Sequence, residues 1–301
     1  MWSASLAPAP VGRVRNSKLT VDGRRSTKKD MSLKGKNLGL RTLSGAVLGI
    51  VVVGAVLLGK WATAVVVALI YAEAMSELLR MATKRIPELN IAYHLTLGLG
   101  MAWITGVALN PSPLMLMVGL LFVPLLFIAE VFRKSGSTIE NGALASLSLL
   151  YVALPLALLL LIGTEGGKWE PARVLMIIFI VWVNDIFAYL VGCSIGKHKM
   201  APSISPQKSW EGFFGGVLFA VGFAMAAGYM MEGNIYLWGG LGAVVALAGV
   251  VGDLLESKIK RECGVKDSGN LIPGHGGMLD RFDALLVAAP VAYLYMIILG
   301  L

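Results

Sequence analysis

Long apolar runs separated by short polar segments dominate the chain. In "AVLGIVVVGAVLLGKWATAVVVALIYAEA", residues 46–74, Leu, Val, Ala and Gly follow one another without the alternation of a half-buried strand. A helix needs about 20 apolar residues to cross the hydrocarbon core, and the missing period-two pattern excludes a transmembrane barrel. The pattern predicts nine helices, over 42–59, 61–79, 92–109, 113–132, 142–163, 172–195, 211–231, 235–257 and 282–300. No internal repeat of 20–50 residues is visible.

Composition strengthens this picture. The 301 residues are 56% hydrophobic and only 15% charged, with a mean hydropathy of +0.75, whereas soluble domains are about 25% charged. The expectation is an all-α, polytopic integral membrane protein. A net charge of +8 raises the question of a nucleic-acid partner. Basic loops on one side of a membrane give the same total, and no nucleic acid is expected. With the N-terminus in the cytoplasm, 23 of the 26 Lys and Arg residues fall inside, leaving only Lys60, Lys168 and Arg173 outside. Residues 1–38 read as a basic, disordered tail without a signal-peptide core. N-terminal helices over 39–170 and C-terminal helices over 171–301 follow. Two polar loops, 196–210 and 258–281, share the cytoplasmic face. Cys193 and Cys263 have no metal-ligand spacing.

The chemistry concentrates in those loops. Asp253 lies in an apolar run, where an ionisable group is costly and normally faces a polar cavity. A plain ion pair with Lys260, of Asp253 or of Glu256 at helical i,i+4 spacing, is the structural alternative. "PGHGG", residues 273–277, cannot be helix; Gly274, Gly276 and Gly277 let backbone N–H groups approach an anion. Lys266 and Arg281 flank it, and Asp280 and Asp283 follow on one face of the next helix. Carboxylates beside a cationic, glycine-rich loop point to Mg²⁺ with phosphate. In the other loop Lys208 and Ser209 open a helix, a phosphate-binding arrangement or a plain N-cap. Asp185 beside Asn184 is a further polar pair within an apolar segment, either a pocket residue or one paired structurally. Glu73 and Glu77, four apart, suggest helix packing or a channel lining and receive no chemical role. Glu130 near Arg133 and Lys134 reads as an interfacial pair, and His94 and His198 as lone histidines. "GCSIGKH" is not a P-loop, because no Ser or Thr follows the Lys.

Ser257-x-x-Lys260-Arg261, Lys266-Asp267 and Pro273-x-His275-Gly276-Gly277-x-x-Asp280-Arg281-x-Asp283 together resemble the defining motif of the phosphatidate cytidylyltransferases, or CDP-diacylglycerol synthases. "DIFAY" from Asp185, "SPQKSWEG" from Ser205, and Gly252-Asp253 are similar to that family too. The resemblance covers roughly residues 40–301. It implies a Mg²⁺-dependent homodimer in the bacterial inner membrane that converts CTP and phosphatidate to CDP-diacylglycerol and pyrophosphate for phospholipid synthesis. By resemblance Asp253 and Asp280 hold the metal. Asp185, Asp267, Asp283 and His275 are supporting candidates. Ser257, Lys208, Ser209, Lys260, Arg261, Lys266 and Arg281 are candidates for the substrate phosphates. Two rivals stand beside this reading. One is a CTP-dependent enzyme of an isoprenoid lipid or polyprenyl phosphate; the other is a transporter, which would need broken helices in repeated halves.

Overall fold

The computed structural model describes residues 28–134, 136–271 and 276–301. Among them are α1 (Lys28–Leu58), α2 (Lys60–Arg85), α3 (Tyr93–Leu109), α4 (Pro113–Leu120), α5 (Phe122–Val131), α6 (Thr138–Leu147), α7 (Leu154–Ile162), α8 (Pro171–Ile195), α9 (Trp210–Met230), α10 (Ile235–Glu262) and α11 (Leu279–Leu299). Two small antiparallel hairpins interrupt them: β1 (Thr164–Glu165) with β2 (Lys168–Trp169), and β3 (Lys199–Ala201) with β4 (Ser205–Ser209). Helices prevail because lipid offers no partner for a backbone amide, and a helix satisfies its own.

The nine expected segments are all present as helix, with local breaks. Proline causes two of these. Pro124 has no N–H for the Leu120 carbonyl, and the pass Pro113–Val131 breaks at Leu121 into α4 and α5. Pro155 has none for Tyr151, and the pass Thr138–Ile162 widens into a π turn over Ser148–Ala153 between α6 and α7. Seven passes are long and apolar enough to cross a membrane; Leu43–Leu58 and Tyr93–Leu109 are apolar but shorter. The molecule is an all-α polytopic membrane protein.

The pass Thr138–Ile162 is central, 83% buried, whereas Pro113–Val131 is peripheral, 17% buried. Tyr71, Met75, Trp103, Leu149, Leu160 and Ile177 fill the core around it. The N-terminal and C-terminal helices share that core, since α11 packs on α2 and α7 as well as on α10. Small residues let particular helices approach closely. Gly212 and Gly216 of α9 meet the Ala188 and Asn184 backbone of α8, and Gly252 of α10 meets the backbone of Asp283 on α11.

Three expected boundaries move. Residues 28–38, expected within the tail, are already helix, while 1–27 lie outside the described residues. The loop expected over 258–281 is only 263–278, because α10 runs on through Lys258–Glu262 and α11 starts at Leu279. Its Lys and Arg residues are good helix formers in the last turn, where cations also suit the helix dipole. The loop expected over 196–210 is the β3–β4 hairpin, with its own ladder to satisfy the backbone.

Candidate functional site

The C-terminal ends of α8 and α10 and the N-terminal ends of α9 and α11 meet at one end of the bundle. The β3–β4 hairpin covers them, tied down where Arg261 Nε donates to the Ile204 carbonyl at 3.4 Å. They enclose a cavity of about 780 Å³. Its walls carry Asp185, Lys199, Lys208, Ser209, Asp253, Lys260, Asp267, Asp280, Arg281 and Asp283. Asp253 and Asp280, from segments 27 residues apart in sequence, therefore face the same space.

The carboxylates fall into two groups. Asp185, Asp253 and Asp283 form the open wall. Asp253 pairs with Lys208, Oδ2 to Nζ 2.5 Å, and its Oδ1 accepts from Ser257 Oγ at 3.2 Å. Among the described residues Asp283 accepts only from its neighbouring amide, Ala284 N, at 2.8 Å, and Asp185 accepts a long 3.4 Å bond from Asn184 Nδ2. Asn184 is buried and its Oδ1 has no hydrogen-bond partner. The close α10–α11 crossing at Gly252 brings Asp253 beside Asp283.

Asp280 belongs to the closed group. Its Oδ2 accepts from Ser268 N (2.9 Å), Ser268 Oγ (3.0 Å) and Gly277 N (2.8 Å). Its Oδ1 accepts from Lys260 Nζ at 2.6 Å. Lys260 in turn pairs with fully buried Glu256 at 2.5 Å, the i,i+4 pair legible in the sequence. Gly276 holds φ at +83°, a left-handed conformation that a side chain disfavours, and so aims the Gly277 N–H back at Asp280.

Other candidates separate cleanly. Ser209 caps α9 by accepting from Gly212 N at 3.2 Å, and its O–H stays available to the cavity. Ser257 bonds Asp253. Arg261 and Lys266 are exposed and do not line the cavity; Arg261 braces the hairpin and the Val265 carbonyl instead. Pro273, Gly274 and His275 lie outside the described residues. The interfacial pair Glu130–Arg133 is present at 3.5 Å, although Glu130 is buried and also accepts from Asn141 Nδ2. His198 pairs with Glu211 at 2.6 Å.

Sequence reasoning left two contributors without a role. Lys199 lines the cavity. Glu77, 0% exposed on α2, accepts from Met278 N, Leu279 N and Ser268 Oγ at 2.9, 2.8 and 2.8 Å. The signal for Glu77 was its place in an apolar run, where a carboxylate demands donors; nothing local said that those donors stand some 200 residues away.

The donor set fits a hard cation. Among the described residues the candidate ligands are all oxygen, and an orphaned amide oxygen, Asn184 Oδ1, sits beside Asp185. Among the described residues no group of three or more His, Cys, Asp or Glu could hold a metal by itself. Mg²⁺ does not require one, because it takes one or two carboxylates and completes its shell with water and substrate phosphate. Five aspartates against four Lys or Arg residues line the cavity. Such a wall does not attract polyanions unaided, and a divalent ion would reverse its sign.

The model of the "Cytidylyltransferase family" matches residues 39–299. A protein named phosphatidate cytidylyltransferase from Staphylococcus aureus (strain COL) is 38% identical over 169 residues, covering 56% of this chain and 64% of the relative. Its namesake from Aquifex aeolicus (strain VF5) is 39% identical over 191 residues, covering 62% and 71%. The chain thus spans a little under two thirds of the staphylococcal relative's length. With the match running through almost every helix described above, the chain belongs to the cytidylyltransferase family.

Proposed function

We propose that this protein makes CDP-diacylglycerol and pyrophosphate from CTP and phosphatidate, as an enzyme of phospholipid synthesis. One observation carries the reading: the polar cavity adjoins an apolar one. A groove of about 850 Å³ runs between α1, α8 and α11 past Gly49, Val52, Ile178, Trp182 and Leu285. It shares Asp185, Asp280, Arg281 and Asp283 with the polar cavity. A substrate with a phosphate head and apolar tails suits the junction, and a water-soluble nucleotide suits the polar side. The names of the relatives support the same pair of substrates.

The reaction needs no protein nucleophile. A phosphatidate oxygen, already ionised, attacks the α-phosphorus of CTP; the new P–O bond forms as the bond to the β-phosphate oxygen breaks, and pyrophosphate leaves with that electron pair. The difficulty is repulsion between two polyanions, so catalysis is positioning and charge stabilisation. Arg281, on the wall shared by both cavities, is placed to bind the lipid phosphate. Lys208 and Lys199 meet the nucleotide phosphates, with Ser209 O–H as a neutral donor. Lys260, held by Glu256 and Asp280, adds fixed positive charge. Asp253, with Asp283 and Asp185 and the remaining lone pair of Asp280 Oδ1, would hold Mg²⁺, which when bound neutralises phosphate charge and stabilises the leaving group. The excess of Lys and Arg supports a cytoplasmic active site in a bacterial inner membrane, and the family resemblance supports a homodimer.

A lipid panel tests the reading. Purified protein in detergent receives CTP labelled in the α-phosphate together with phosphatidate, a polyprenyl phosphate or an isoprenoid alcohol. Label entering lipid with phosphatidate alone is the expected result. Label entering polyprenyl phosphate or no lipid at all would contradict it.

A further inference from the structure

Among the described residues Glu77 is the most enclosed acid that the mechanism leaves unused. It lies on α2, two turns before the helix ends at Arg85, and reaches across to α11. Its two oxygens receive three donors, and all three belong to the loop and helix start that carry Asp280. Two are the Met278 and Leu279 amides, which have no partner within α11 because they open it. A carboxylate at a helix N-terminus is favoured by the dipole, and more so when buried. The α11 start has no side-chain cap of its own. Glu77 is that cap, delivered from another helix.

The third donor links the two acids. Ser268 Oγ lies 2.8 Å from Glu77 Oε2 and 3.0 Å from Asp280 Oδ2. A hydroxyl carries one proton, so it serves one carboxylate at a time, while the Ser268 amide stays on Asp280. The surrounding backbone is shaped to the Glu77 carboxylate: a Cβ at Gly269 or at Gly277 would collide with it. Asp280 and Lys260 thus take their positions from a loop that Glu77 holds.

We infer that Glu77 is a positioning residue for the active site, fixing Ser268 and the 277–279 start of α11 and, through them, the direction in which Asp280 and Lys260 face the cavity. Shape alone does not do this. Glu77→Gln keeps the volume but replaces one acceptor oxygen with an NH₂ group, which confronts donors with a donor. Outer partners of this kind change activity about 10- to 100-fold when altered.

The consequence for activity rests on the function proposed above; the consequence for the loop does not. The experiment therefore has two arms on the full chain in detergent: CMP transfer to phosphatidate, and amide hydrogen exchange. Glu77→Gln is expected to lower kcat about 10- to 100-fold with KM changed much less. It should also speed exchange across 268–282 by about tenfold or more, with the other helices unchanged. Loop exchange equal to wild type overturns the proposal, whether or not activity falls. Faster loop exchange with unchanged kcat in an active enzyme also overturns it. If wild type transfers no CMP to phosphatidate, the proposed function fails, and the exchange arm still decides the clamp. Should Glu77→Gln not fold, Ser268→Ala removes only the shared hydroxyl: faster exchange at Gly277–Leu279 with a lower kcat supports the clamp, and wild-type behaviour in both refutes it.

Discussion

Two sets of acids meet at the same end of the bundle and live under opposite conditions. Asp185, Asp253 and Asp283 line an open wall with few donors of their own. Glu77, Glu256 and Asp280 are enclosed, and between them they take up Lys260, Ser268 and the first amides of α11. Residue type does not separate the groups; enclosure does, and among the described residues Glu77 and Asp280 meet it with several donors while Glu256 has Lys260 alone. A buried carboxylate with several donors is spent on structure, because removing any partner leaves a charge uncovered. A carboxylate with lone pairs to spare can take a cation or answer to a substrate. Asp280 stands on the border, with Oδ2 saturated and Oδ1 engaged once.

That contrast can be broken by substitution, in descending order of effect. Asp253→Asn on the open wall should cut turnover by about 10²–10³-fold, as for loss of one electrostatic contact to the reacting groups, while thermal unfolding in detergent stays near wild type. A matching loss of stability would move Asp253 into the enclosed set. Asp280→Asn should do both: activity falls, and stability drops by about 3–5 kcal/mol, because Lys260 loses one of its two acids and an NH₂ group faces donors. Unfolding indistinguishable from wild type would show that the donors around Asp280 are not holding it. Lys208→Ala should raise KM for CTP or phosphatidate about tenfold through a lost charge-assisted bond. It should cost at most about 1 kcal/mol of stability, since the Lys208–Asp253 pair is partly exposed. Unchanged KM for both substrates would remove Lys208 from the site. Glu73→Gln, one turn from Glu77 but half-buried and paired, among the described residues, with exposed Arg80 alone at 2.9 Å, should change rate and stability by less than about twofold and 1 kcal/mol. A large effect there would mean that position on α2, rather than donor supply, governs both acids.

Much of this was legible in the chain before any coordinates. Unbroken apolar runs located the helices, because crossing lipid admits few other structures. The i,i+4 spacing of Glu256 and Lys260 and the Ser209 cap were readable because both are local. Charge density in an otherwise apolar chain pointed to a functional site, and the family resemblance put Asp253 and Asp280 in it together. What escaped was long-range or geometric. The partners of Glu77 come from the other end of the chain, the Lys208–Asp253 pair joins two separate segments, and the π turn reflects how one proline is absorbed within a packed pass. The end of α10 lies later than expected because Lys258, Lys260 and Arg261 look like loop charges, although they continue the helix.

Chelation followed by Mg²⁺ titration tests the central claim most directly, with transfer of α-labelled CMP to phosphatidate as the readout for wild type and Asp253→Asn side by side. The open acid wall predicts that wild type falls silent in chelator and recovers fully with Mg²⁺, while Asp253→Asn does not recover at any concentration that saturates wild type. Full transfer in chelator, or an Asp253→Asn titration that overlays wild type, would contradict it.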